Sequence, residues 1–80
     1  MASVVSRTLP IEAMAAGERG VVVEIDGTPE LVVRLAEMGL HTGTRIRLIR
    51  PGAPCILEIE QQRFSFRFDD LVTVLVEIAE

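Results

Sequence analysis

The sequence predicts an all-β domain, a small closed or nearly closed barrel of about five strands with one helix set among them. Three observations predict it. Short runs with period-two alternation recur along the chain, most clearly in Arg63 to Phe68, RFSFRF. Turn signals rich in glycine and proline separate those runs. One stretch, Leu31 to Met38, breaks the pattern with helical spacing. Short strands that must hide their edges favour closure.

The helix is the best specified element. Thr28 can cap it by accepting from an unpaired backbone N–H. Pro29 falls at the first helical position, where its missing N–H costs nothing. Glu30 sits at the positive end of the helix dipole. Leu31, Leu35 and Met38 follow at i, i+4 and i+7, flanked by Val32 and Ala36, while Glu30, Val33 and Glu37 fall opposite. Gly39 ends the helix, because the left-handed residue of a Schellman stop carries no Cβ penalty when it is glycine. Leu40 then sits where it can fold back on Leu35. The helix is therefore predicted over 29–38, with Gly39 and Gly43 as the turn residues that follow.

The remaining elements follow in order. Leu9 to Ile11 forms a short strand at most, and Pro10 limits it to an edge. Met14 to Gly20, MAAGERG, reads as a turn. Val21 to Asp26 is a strand with Val21, Val23 and Ile25 on one face and Val22, Glu24 and Asp26 on the other. Thr44 to Arg50 is the next strand, closed by Pro51-Gly52-Ala53-Pro54. Cys55 to Glu60 and Arg63 to Phe68 follow, joined at Gln61-Gln62. Asp69-Asp70 breaks the chain before a last strand over 72–78.

Two turn lengths propose a register. A four-residue turn at 51–54 sets Arg50 opposite Cys55, Leu48 opposite Leu57, Arg47 opposite Glu58, Ile46 opposite Ile59 and Arg45 opposite Glu60. A two-residue turn at 61 and 62 sets Glu60 opposite Arg63, Ile59 opposite Phe64 and Leu57 opposite Phe66. It also sends Cys55 inward opposite Phe68. Apolar pairs then share one face and opposite charges meet on the other.

Bulk properties bound the function. Eighty residues, 49% hydrophobic and 25% charged, make one small globular domain with a modest core. No apolar run reaches the 18 or so residues of a membrane span. The N-terminus lacks a signal-peptide pattern. A single cysteine, Cys55, excludes an internal disulfide. These features predict a cytoplasmic protein without direct membrane insertion. The net charge of −4 and the three phenylalanines, all predicted inward, argue against nucleic acid.

Enzyme chemistry is disfavoured. His41 and Cys55 are the sole histidine and cysteine, and a nucleophilic pair needs both in contact with a third orienting group. Glu58 and Glu60 are accounted for as partners of Arg47, Arg45 and Arg63. No CxxC, HxxxH or histidine tract suggests a metal, and no cofactor motif is present. Residues 39–43 lack the ending of a phosphate loop and follow a helix instead of opening one. The charge is uneven: residues 31–54 carry +3, with Arg34, Arg45, Arg47 and Arg50 against Glu37, and the remainder carries −7. A salt-bridged outer face explains that asymmetry plainly. The sharper reading is a docking face for an acidic partner, built from Arg34, Leu40, His41, Arg45 and Arg47 and helped by Val33.

Gly17-Glu18 ahead of the strand VVVEID, the block Arg34-Leu35-Ala36-Glu37-Met38-Gly39-Leu40 with Gly43 after it, and Leu71-Val72-Thr73-Val74 together resemble the ferrous iron transport protein A family, FeoA. The resemblance runs from about Leu9 to Val76, and the domain core is set at about 9–78. It implies an SH3-like barrel with an inserted helix, in the free-standing form without a DNA-binding domain. It further implies a cytoplasmic accessory of the membrane GTPase transporter FeoB, acting as a non-enzymatic binding module with no catalytic residue. Related barrels form the C-terminal domain of iron-dependent repressors. The alternative is therefore a chaperone or sensor that binds ferrous iron directly.

Overall fold

A computed structural model describes residues 6–68 and 72–79. Asp69, Asp70 and Leu71, assigned above to the last turn and to the family pattern, lie outside the described residues. Six antiparallel strands form one sheet in the order β1-β6-β2-β3-β4-β5. They are β1 (Ser6–Pro10), β2 (Arg19–Gly27), β3 (Arg45–Arg50), β4 (Cys55–Ile59), β5 (Gln62–Phe66) and β6 (Val72–Ala79). One helix, α1 (Pro29–Glu37), separates β2 from β3, and a 3-10 turn over Ile11–Ala13 follows β1. The mostly-β, SH3-like class with one inserted helix holds.

The count and the closure differ from expectation. The N-terminal run is a five-residue strand on the edge of the sheet, and Pro10 ends it. It pairs with β6, a partner nearly the whole chain away, so local pattern could not announce it. The described sheet curls around its core without hydrogen-bonded closure, because β1 and β5 are its two edges.

The core joins one face of every strand except β1: Val22, Ile46, Leu48, Cys55, Leu57, Ile59, Phe66, Val74, Val76 and Ile78, with Ile11, Met14 and Leu40. Leu9, Ile25, Leu35, Phe64 and Phe68 pack against it. Fully burying an aliphatic side chain of this kind contributes about 1.5–3 kcal/mol. Met14 is buried although its neighbours turn, which the reading of 14–20 as a plain turn missed.

Two bulges reset the faces. In β2 the register with β6 shifts between Val22 and Glu24, so that Val22 pairs with Val76 and Ile25 with Val74. Val22 is fully buried and Val23 is exposed, the reverse of the face predicted from strict alternation. One extra residue in a strand exchanges its faces beyond that point. In β3 the register shifts between Leu48 and Arg50. Leu48 pairs with Leu57 and Arg47 with Glu58 as predicted, but Arg50 meets Ile56 instead of Cys55.

The β4–β5 hairpin turns one residue earlier than predicted. Glu60 and Gln61 both have positive φ, 51° and 68°, as a two-residue type I′ turn requires. Cys55 therefore pairs with Phe66, Leu57 with Phe64, Glu58 with Arg63 and Ile59 with Gln62. The whole register moves by two residues, which preserves every face. Alternation could not detect that slip, since a shift of two leaves apolar opposite apolar.

Candidate functional site

The loop after the helix is built as a rigid support. Thr28 Oγ1 accepts from the Leu31 N–H at 3.5 Å and opens α1. At its other end Met38 is the C-cap, and Gly39 takes φ 94° as its place in the predicted stop requires. The Leu40 N–H donates to Leu35 O at 2.9 Å and the Gly39 N–H to Ala36 O at 2.9 Å, the paired bonds of a Schellman stop. Thr44, the one buried polar residue among those described, closes the loop from within. Its hydroxyl donates to Gly39 O at 2.9 Å and accepts from the His41 N–H at 3.1 Å. The loop is then stitched to β2: the Gly43 N–H donates to Val22 O at 2.7 Å and the Val22 N–H to Thr44 O at 2.9 Å. No sequence signal beyond a threonine following a glycine marked Thr44 for this role.

The predicted docking residues separate into different surroundings. Leu40 is fully buried and belongs to the core. Its apolar side chain fills the space under the Schellman stop, so it supports the loop and offers nothing to a partner. His41 is exposed, with Nδ1 3.0 Å from Thr42 O. His41 and Arg45 line one groove of about 720 Å³ together with Met38, Ile59 and Phe64 and with the carboxylates Glu37 and Glu60. Arg45 and Arg47 line a second cleft of about 430 Å³ on the outer face of the sheet. Arg34 is exposed on the outer side of α1, in a shallow concavity with Pro29, Glu30, Val33 and Glu37. The structure thus joins His41 to Arg45 and Arg45 to Arg47, and sets Arg34 apart.

The expected ion pairs are fewer. Arg47 Nη1 stands 4.0 Å from Glu58 Oε1, the only one of the predicted outer-face pairs formed as a salt bridge among the described residues. Glu60 lies in the hairpin turn and faces neither Arg45 nor Arg63 across the ladder. A second pair, Arg7 Nη2 to Glu18 Oε2 at 2.7 Å, ties β1 to the segment before β2. The Ala15 N–H donates to Glu18 Oε1 at 2.7 Å. That bond, with Arg7 adding to it, lowers the Glu18 carboxyl below its ordinary value.

Cys55 is buried against Phe66, and burial pushes its thiol above its ordinary value. The rings of Phe66 and Phe68 stack with centroids 5.4 Å apart. Phe66 is buried, and Phe64 and Phe68 are partly buried against the core. Among the described residues no three His, Cys, Asp or Glu side chains stand together as a metal site. Among the described residues no helix is long and apolar enough to cross a membrane.

Comparison with known proteins decides the family. The sequence profile of the FeoA domain matches residues 9–78. The chain belongs to the FeoA domain family. No curated protein matches it in sequence. Among solved structures, a crystal structure of an iron uptake regulatory protein, FeoA, superposes with a TM-score of 0.81 at 27% identity, over 90% of this chain and 99% of that one. The solution structure of the FeoA protein from Chlorobium tepidum superposes with a TM-score of 0.70 at 23% identity, over 85% of this chain and 70% of that one. The second likeness is one of fold. Membership gives this FeoA domain a role in ferrous iron transport.

Proposed function

We propose that this FeoA domain is a non-enzymatic protein-binding module of the cytoplasm that docks on the cytosolic part of a FeoB-type membrane GTPase transporter. The observation that carries the reading is the clamped loop 39–44. Thr44 and the ladder to β2 hold it, so His41 is presented with little freedom left to lose on binding. His41 and Arg45 share their groove with the apolar Met38, Ile59 and Phe64 and with Glu37 and Glu60, a mix of polar and apolar groups of the kind that interfaces use. Arg34 and Arg47 extend the basic character to either side, while Leu40 contributes from inside. A chain with one histidine and one buried thiol has little of the usual equipment of an enzyme.

The test is calorimetric titration of the domain against the transporter's cytosolic domain. Reversal of two exposed arginines, Arg34→Glu with Arg45→Glu, should weaken association while leaving thermal stability nearly unchanged. Affinity should also fall as salt rises, since both side chains are exposed. Binding that survives both reversals and ignores salt would move the interface elsewhere.

A further inference from the structure

The sheet register sets four charged side chains in one row on the outer face. Arg19 on β2 pairs with Arg47 on β3, Arg47 with Glu58 on β4, and Glu58 with Arg63 on β5. Directly paired residues project from the same face of a sheet. Three guanidinium groups therefore share one carboxylate. Glu58 stands between Arg47 and Arg63, at the far side from Arg19, and Arg19 has no ion-pair partner among the described residues. Like charges directly opposite one another destabilise a sheet, so folding gives no reason for an arginine beside Arg47.

Arg47 is also under-used. Its contact with Glu58 is at the long limit of an ion pair, 4.0 Å, and its Nε is buried with no hydrogen-bond partner. A buried donor without an acceptor is costly, so the fold leaves this guanidinium incompletely satisfied. Arg19 and Arg47 line the cleft of about 430 Å³ on this face. The cleft also holds Arg45 and three carboxylates: Glu58 is engaged with Arg47, Glu60 lies in the β4–β5 turn, and Glu77 belongs to the neighbouring row, where it pairs with Val21 beside Arg45.

We propose that Arg19 and Arg47 form an oxyanion site that takes a phosphate group, either the free ion or one carried on a small molecule. Two adjacent guanidinium forks offer paired N–H donors, which match tetrahedral phosphate oxygens bidentately, and their combined charge suits a dianion. The cleft is larger than one phosphate and falls within the range of small-molecule pockets, so it has room for a substituent. The site does not depend on the transporter for its argument or its test.

The test is backbone amide spectroscopy of the whole chain during titration with inorganic phosphate and, separately, with AMP, at ionic strength held constant with NaCl. Saturable shifts centred on residues 19–21 and 45–47 are expected. Arg19→Gln should weaken binding by at least about tenfold, the effect of losing a hydrogen bond to a charged group. Arg47→Lys should do the same, since lysine keeps the charge and loses the fork. Arg50→Gln should leave the shifts in place. Tighter binding of AMP assigns the site to a carried phosphate, and equal or tighter binding of phosphate assigns it to the free ion. Failure to saturate, shifts reproduced by NaCl alone, or shifts unchanged in Arg19→Gln would overturn the proposal.

Discussion

Gly20 leaves no room for a side chain against β6, and adding one methyl group there tests the packing of the sheet. Gly20 pairs with Ile46 on β3 and faces inward. A Cβ built on it would overlap Val76 Cγ1 and stand 2.8 Å from the carbonyl oxygen of Glu77 and 3.3 Å from Ile78 Cγ1. Val76 is fully buried, so its side chain has nowhere to swing, and the Glu77 carbonyl is fixed by the β6 backbone. Overpacking of this kind costs about 1–3 kcal/mol. Two of the three neighbours are immovable, so Gly20→Ala should fall near about 2–3 kcal/mol. At 4–8 °C per kcal/mol for a domain of this size, the melting temperature should drop by about 10–20 °C. The sign is informative, because alanine in place of a strand glycine ordinarily gains about 0.5–1 kcal/mol. Guanidinium titrations should show a lower midpoint with an unchanged slope. Combination with Val76→Ala should be less than additive, since that change removes the first obstacle. A Gly20→Ala domain within about 0.5 kcal/mol of the parent, or strict additivity in the double variant, would refute the close approach.

Further outcomes are as definite. Gly39→Val should cost at least about 1–2 kcal/mol by forcing a β-branched residue to positive φ, read as a lower unfolding midpoint. The Glu18 carboxyl titrates lower in the folded chain than in the unfolded one, so its stabilisation is present above the ordinary value of 4.5 and is lost as the pH falls through the folded value. Glu18→Gln should therefore be less stable than the parent at neutral pH and converge with it in acid, as a pH series of thermal midpoints would show. Cys55 should resist thiol reagents in the native state and react at the rate at which the core opens, because it is buried and its thiol is held in the protonated form. Labelling as fast as that of an unfolded control would contradict that burial.

The elements that were legible in the sequence are those whose cause is local. Thr28, Pro29 and Gly39 bracket the helix by themselves, and each acts within a turn of its own position. The pairing of Leu48 with Leu57 followed from a countable turn. What was hidden depends on distant partners or on the count of residues in a ladder. The bulge at Val23 moves Val22 inward, and nothing in three consecutive valines marks which one is extra. The hairpin slipped by two residues because Glu60-Gln61 takes a turn that usually favours asparagine or glycine, and a slip of two is silent to alternation. Leu40 was assigned to the surface because it follows the helix stop; its C″ position, read as a staple, already implied burial. The Arg19–Arg47 pair needed the β2–β3 register, which no turn between them could fix across an intervening helix.

The helix itself hides very little. None of the residues of α1 is fully buried, Val33 is 56% exposed and the capping Met38 38%. The fully buried side chain at this end of the insert is Leu40, which lies past the helix and plugs into the core. The helix is therefore moored lightly, by half-buried Leu35 and by Leu40 and the stitched loop beyond it, and the cost of lifting it is uncoupled from the cost of opening the sheet. Amides of Val32 to Glu37 should exchange through a partial opening well below the global free energy, while those of Val22 and Leu48 wait for complete unfolding. The same mooring frees the outward helix positions to change sequence without disturbing the folding of the strands, so the insert can vary its surface chemistry while the sheet beneath stays constant.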